Sequence, residues 1–149
     1  MLVRHEKIDS TQYYVARAGD SGNKDYASFR LNGSDNKFRG YILDDDVSSN
    51  YRANVFSNTS VSVNTWYHVV FTKDWDGNGS KLRMYVNGEL ENTTEDPNNL
   101  NAQPDSTSEL RIGTNGYESA PIEGAMSDVR IYDRAISDSE VLDLYKQGD

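Results

Sequence analysis

The stretch Asp74-Trp75-Asp76-Gly77-Asn78-Gly79 has the spacing that can set three side-chain oxygens around one hard cation. Alternate Asp and Asn positions converge in a loop, and the glycine permits the sharp turn. The glutamate that would close a full calcium loop at the twelfth position is replaced by Tyr85. Asp74, Asp76 and Asn78 are therefore candidate metal ligands. The alternative is a plain hairpin loop between strands ending at Lys73 and starting at Lys81, since turns favour the same residues. Asp44-Asp45-Asp46 offers a second set, with Asp44 and Asp46 as ligands. Neighbouring side chains in extended backbone point to opposite sides, so this set needs a tight loop and otherwise reads as a solvated acidic turn. Calcium is the one cofactor these residues suggest.

Trp75 stands between two aspartates in an expected loop, where its ring could stack on a sugar while the acids bond hydroxyls. Its alternative role is to fold back over the edge of the core. Tyr51 and Tyr117 are further aromatic candidates for ligand binding. Trp66 reads as core. The two histidines, His5 and His68, join no Ser–His–Asp arrangement, and His68 reads as a structural hydrogen-bonding residue within a strand. Glu89 and Glu91 share a face but sit just past a hairpin turn with no third acid in register. Glycoside hydrolysis needs an acid and a second carboxylate across the scissile bond, so no catalytic residue is assigned and the chain reads as a non-enzyme.

The length of 149 residues suits one domain, 1–149, with room for a real core. A net charge of −9 repels phosphate backbones and disfavours nucleic acid as a partner. The absence of cysteine excludes disulfides, thiolate metal sites and a cysteine nucleophile. No apolar run reaches membrane-spanning length, so membrane insertion is not expected. The opening Met1-Leu2-Val3-Arg4-His5-Glu6 does not read as a signal peptide.

The elements that would position these residues are short alternating strands. Tyr13–Ala18 is the first clear one, and Met1–Ile8 supplies at most one weak strand. Ala27, Phe29 and Leu31, then Phe38, Gly40 and Ile42, alternate with polar residues across the Asn32-Gly33-Ser34-Asp35 turn. A long polar loop is expected from Asp44 to about Asn58. Val61–Lys73 is the strongest strand signal, with Tyr67, Val69 and Phe71 on one face. Leu82, Met84 and Val86 precede the Asn87-Gly88 hairpin turn, and Asn92–Thr107 reads as loop. Leu110 and Ile112 mark a short strand, Val129 and Ile131 the last, with a bulge before Val129 because Met126 has the opposite parity. A helix closes the chain, with Ser137 and Glu140 as a capping box, Ile136 and Val141 as a staple and Gly148 as its stop.

Four stretches together resemble the bacterial laminin G-like, concanavalin A-like lectin/glucanase superfamily. They are Trp66-Tyr67-His68-Val69-Val70-Phe71, Leu82-Arg83-Met84-Tyr85-Val86-Asn87-Gly88, Leu110-Arg111-Ile112-Gly113, and the closing run from Gly124 through Asp128-Val129-Arg130-Ile131-Tyr132 to Val141. The match is clear from Trp66 onward. It implies an all-β fold, a two-sheet antiparallel β-sandwich (a concanavalin A-like jelly roll) with a short C-terminal helix. It also implies an accessory module that binds carbohydrate or protein, often with calcium at one rim. Glucanases of this fold carry a run of carboxylates on one strand that is absent here. The family's opening strand is also not found in full, which would leave a sheet edge open to pair with another chain. Ser127 stands where the family often has Asp.

The expected function is a non-catalytic carbohydrate-binding or adhesion module, extracellular or at the cell surface, with a glycan or a surface protein as partner and oligomer formation allowed. A structural or protein-interaction module of a secreted, surface or virion protein is the alternative, and a glycoside hydrolase ranks third.

Overall fold

Alternation decides which residues meet. Leu82, Met84 and Val86 are buried, as are Tyr67 and Val69 on the neighbouring strand, and all five join one core cluster. The computed structural model describes residues 1–18, 25–44, 51–75, 80–96, 109–115 and 118–148. In chain order the elements are β1 (Leu2–His5), β2 (Gln12–Ala18), β3 (Asp25–Asn32), β4 (Lys37–Asp44) and β5 (Tyr51–Ser60). Then follow β6 (Trp66–Trp75), β7 (Ser80–Val86), β8 (Glu89–Asp96), β9 (Leu110–Ile112), β10 (Gly124–Ser127) and α1 (Asp138–Gln147). The strands form two antiparallel five-stranded sheets, ordered β10-β1-β6-β7-β8 and β5-β4-β3-β2-β9. This is the expected sandwich with its C-terminal helix.

The core lies between the inner faces. Val3, Tyr67, Val69, Leu82, Met84 and Val86 from the first sheet meet Tyr14, Phe29, Leu31, Phe38, Ile42 and Val55 from the second. The aromatic rings pack edge to face, Tyr14 against Phe29 at 5.2 Å and Phe38 against Tyr67 at 5.5 Å. That geometry suits the ring quadrupole. Gly40 is required here, because a Cβ at that position would overlap the Phe71 ring reaching across from the other sheet. The Asn87-Gly88 turn has positive φ at both residues (51° and 82°), the conformation that matches the twist of a two-residue hairpin.

The helix covers part of the outer face of the first sheet. Ser137 accepts from the Glu140 N–H, and the Glu140 side chain accepts from the Ser137 N–H, so the capping box forms. Ile136 and Val141 bury against Tyr85, whose hydroxyl donates to Asp138 Oδ1 at 2.7 Å. Gly148 is the C-cap, its N–H bonded to the Tyr145 carbonyl.

Five expectations change. Met1–Ile8, read as a weak strand, holds β1, a central strand paired on both sides. Its polar look comes from His5, which is fully buried and bonded through Nδ1 to Gln12 Oε1 (2.9 Å) and through Nε2 to Tyr14 Oη (2.8 Å). The loop expected up to Asn58 is β5 from Tyr51 onward. Asn54 and Asn58 look like turn residues but lie on the outer face, while Ala53, Val55 and Ser57 face inward. The loop expected from Asn92 is β8 as far as Asp96, its polar residues paired to β7 at an exposed sheet edge. β6 starts at Trp66 rather than Val61, because Asn64 takes a left-handed φ of 60° in the preceding turn. The strand expected at Val129 and Ile131 does not form. Asp128 takes a left-handed φ of 52° where a bulge was expected, which turns the chain out of the β1–β10 ladder after Ser127.

Candidate functional site

Of the residues singled out by sequence, the structure describes the backbone of Asp44, Tyr51, Asp74 and Trp75, each a strand residue. Asp74 lies within β6 opposite Lys81, and its Oδ2 stands 3.5 Å from Arg83 Nη1. A guanidinium in that place would compete with a cation for the carboxylate. Trp75 ends β6, paired with Ser80, and is a strand residue rather than a loop residue. Asp44 and Tyr51 are the closing pair of β4 and β5, again strand ends rather than loop. The side chains of Trp75, Asp44 and Tyr51 lie outside the described residues, as do Asp46, Asp76, Asn78 and Tyr117 in full. Among the described residues no three His, Asp or Glu side chains gather as a metal cluster.

Trp66 is not core. It pairs with Arg4 on the outer face of the first sheet, is 47% exposed, and has the Arg4 guanidinium 5.8 Å from its ring centroid. His68 on the same face is buried beside Tyr145, ring centres 5.9 Å apart. The expected side-chain hydrogen bond is absent at its Nδ1; the bond in this position is made by its backbone N–H to Asn87 Oδ1 at 3.0 Å. Burial lowers its pKa to about 4, helped by the nearby charged N-terminus. Loss of hydration lowers that of His5 as well, against the hydrogen bond that its Nδ1 donates to Gln12 Oε1.

Glu91 is fully employed. Its Oε2 accepts from the backbone N–H groups of Asn58 (2.8 Å) and Thr59 (3.0 Å), its Oε1 bonds the Thr59 hydroxyl, and its carbonyl accepts from Asn58 Nδ2 at 2.7 Å. It clamps β8 to β5 and is not placed to attack or protonate a substrate.

The outer face of the second sheet carries what sequence reasoning missed. Inward Phe29, Leu31, Phe38, Ile42, Ala53 and Val55 force Arg30, Arg39, Tyr41, Asn54 and Phe56 outward. A register shift after Tyr13 lets Tyr13 face out while Tyr14 faces the core. The result is an alternating row of rings and guanidiniums. The Arg30 guanidinium lies 5.0 Å from the Tyr13 ring centroid and 5.5 Å from that of Tyr41. That of Arg39 lies 5.0 Å from Tyr41 and 5.2 Å from Phe56. Arg39 Nε donates to Asn54 Oδ1 at 2.9 Å, with a second bond from Nη2 to the same oxygen, and Arg30 donates to the Tyr13 hydroxyl.

This row concentrates positive charge on a protein of net charge −9. Arg39 forms no ion pair among the described residues, and its pKa is lowered by desolvation first and by the Arg30 charge second. Arg30 and Arg39 are paired across β3 and β4, so the two guanidiniums repel each other, and an anion placed at Arg39 would offset that repulsion. Guanidinium donors match a carboxylate, and Phe56, half-buried where Tyr13 and Tyr41 are buried, offers apolar surface beside them. The signal was present as strand parity. What parity cannot supply is the register that puts Tyr13, Arg30, Arg39 and Phe56 in one line.

Comparison with known proteins gives a family and a fold. The family model described as the Concanavalin A-like lectin/glucanases superfamily matches residues 3–142. No curated protein matches. Among solved structures, the Ruminococcus gnavus IT-sialidase CBM40 superposes with a TM-score of 0.75 at 15% identity, over 97% of this chain and 79% of that one. The same module bound to α2,3-sialyllactose gives 0.75 at 16%, with the same coverage. A native heptameric SAP-like pentraxin from Limulus polyphemus gives 0.70 at 18%, over 97% of this chain and 66% of that one. At such identities the likeness is one of fold.

Proposed function

The chain belongs to the Concanavalin A-like lectin/glucanases superfamily, and on that footing we propose that it is a non-catalytic carbohydrate-binding module which takes an anionic glycan on the arginine and aromatic face of its second sheet. The observation that carries the reading is the Tyr13–Arg30–Tyr41–Arg39–Phe56 row, with Asn54 fixing Arg39. A sugar carboxylate would pair with Arg39, and a sugar C–H face would lie against Phe56, the ring of the row that is not buried. The sialyllactose held by a module of the same fold is a glycan of that chemical kind. Non-catalysis is supported by the use of Glu91 as a clamp and the pairing of Asp74 with Arg83. An extracellular or cell-surface setting goes with this reading.

Calcium is a separate part of the proposal. Asp76 and Asn78 follow Asp74 in the order a calcium loop requires, and an ion there would have to draw Asp74 away from Arg83.

Titration with 3′-sialyllactose, 6′-sialyllactose and lactose, by calorimetry at low and moderate salt, tests the main reading. The sialylated sugars should bind and lactose should not. Arg39→Met should weaken binding roughly tenfold or more, the loss of one hydrogen bond to a charged group. Higher salt should weaken it further. Equal binding of lactose, or an Arg39→Met variant with unchanged affinity, removes this face from ligand recognition. If no glycan binds, the protein-interaction reading takes its place.

A further inference from the structure

Alternation along β4 and β5 puts three basic side chains on the outer face of the second sheet. Phe38 and Ala53 face the core, so Lys37, Arg39 and Arg52 face out. The register sets Arg39 opposite Phe56 and Arg52 opposite Leu43. From Lys37 to the Leu43–Arg52 pair the face runs roughly 20 Å, with Arg39 about 7 Å from the Lys37 end.

Basic side chains elsewhere on the described surface hold carboxylates. Lys7 meets Glu123 at 2.9 Å, Arg130 meets Asp128 at 2.7 Å, Arg111 and Arg134 meet Glu118 and Glu140 at 2.5 Å, and Arg83 meets Asp74 at 3.5 Å. Lys37, Arg39 and Arg52 pair with no carboxylate among the described residues. Lys146 has none either, but it lies in the last turn of α1, where the helix dipole favours a cation. Asp35 is the acid whose charge reaches Arg39, and its Oδ1 already accepts from Asn32 Nδ2 at 2.8 Å and from the Lys37 N–H at 3.2 Å. The chain has 24 acidic residues for 15 basic ones. A band of cations left without them is poised for anions from outside.

A carboxylate held at Arg39 has Lys37 on one side of it along the strands and Arg52 on the other. One terminal acidic sugar cannot reach both, whereas a chain with an acid on each sugar runs past all three. We propose that the anionic glycan of this face is a polyuronate, a polymer with carboxylates on successive sugars, laid along β4 and β5 from Lys37 past Arg39 to Arg52. This rests on the glycan reading above and names its substrate class.

The test is calorimetric titration with a hexamer of galacturonate, 3′-sialyllactose and a hexaglutamate peptide. The galacturonate hexamer should bind about tenfold tighter than 3′-sialyllactose, from two added surface ion pairs of about threefold each. Arg52→Gln and Lys37→Gln should each weaken the hexamer about threefold and leave 3′-sialyllactose within about twofold, because charges that far apart are screened. Unchanged thermal midpoints show that both variants fold. If 3′-sialyllactose binds through Arg39 but the hexamer binds no tighter, or loses nothing in the two variants, the glycan reading stands and the polyuronate is overturned. A hexaglutamate bound as tightly as the hexamer also overturns it, because charge alone then suffices. If neither sugar binds, both readings fall together.

Discussion

Acidification between pH 7.5 and 5 should weaken the fold through His68. This side chain is buried beneath the helix with its Nδ1 unpartnered, and its pKa falls from 6.5 to about 4 in the native state, by desolvation first and by the charged N-terminus second. A histidine whose native pKa is depressed binds its proton more readily unfolded. Its contribution is therefore fully present above pH 6.5 and is lost as the pH falls toward 4. At pH 5 the unfolded state gains about thirtyfold relative to neutral pH, which is ~2 kcal/mol, and the full loss below pH 4 is ~3 kcal/mol. His5 shifts in the same direction and adds to the slope. Glu140, held near 2 by Arg134 and Ser137, also loses stabilising charge in acid, but only below its ordinary carboxylate range. Urea unfolding at pH 7.5, 6 and 5, followed by tryptophan fluorescence, measures the slope. His68→Leu keeps most of the packing against Tyr145 and removes the titration, so its stability should fall about 2 kcal/mol less between pH 7.5 and 5. Identical pH slopes in the two proteins would refute the reasoning. So would a native protein that gains stability on acidification, which requires a raised pKa.

Three further outcomes follow from the packing. Gly40→Ala drives a methyl into the Phe71 ring and should cost about 1–3 kcal/mol in a urea melt; a neutral result would mean that the Phe71 ring moves freely. Glu91→Ala frees the Asn58 and Thr59 N–H groups and should cost about 1–3 kcal/mol while leaving glycan affinity unchanged, whereas glycan-hydrolysing activity lost with this residue would overturn the non-catalytic reading. A thermal melt in EDTA and then in calcium tests the hairpin that carries Asp74, Asp76 and Asn78. A rise in midpoint that Asp74→Asn abolishes supports the ion there, and no shift removes calcium from the proposal.

Much of the fold was legible because burial on one side of a strand writes a period of two into the chain. The alternations at Phe29 and Leu31, at Phe38 and Ile42, and at Leu82, Met84 and Val86 each place a core face correctly. The Ser137 and Glu140 pair marks the helix start for an equally local reason. What failed was non-local. β5 and β8 carry turn-like Asn, Thr and Ser, and they are strands because a neighbour offers a ladder and, for β8, because the Glu91 clamp ties it to β5. Val129 and Ile131 carry a strand pattern and form none, because the left-handed turn at Asp128 takes the chain out of the ladder with β1.

The same distinction explains the site. Tryptophan and clustered aspartate stand out in a sequence because they are rare or adjacent, yet Trp75 and Asp44 fall at strand ends on different sheets. The row that the structure assembles uses residues that are common and far apart, from Tyr13 to Phe56. None draws notice in its own strand, since an arginine at an outward position is the ordinary choice for a solvated sheet face. Only pairing across β2, β3, β4 and β5 turns these ordinary choices into two guanidiniums stacked between three rings. A solvated face has no need of that arrangement. It costs the repulsion between Arg30 and Arg39 and the partial desolvation of Arg39. The rings and Asn54 offset part of that cost, and an anion bound between the guanidiniums would offset more, which is why the acidic glycan is the ligand to try before any neutral one.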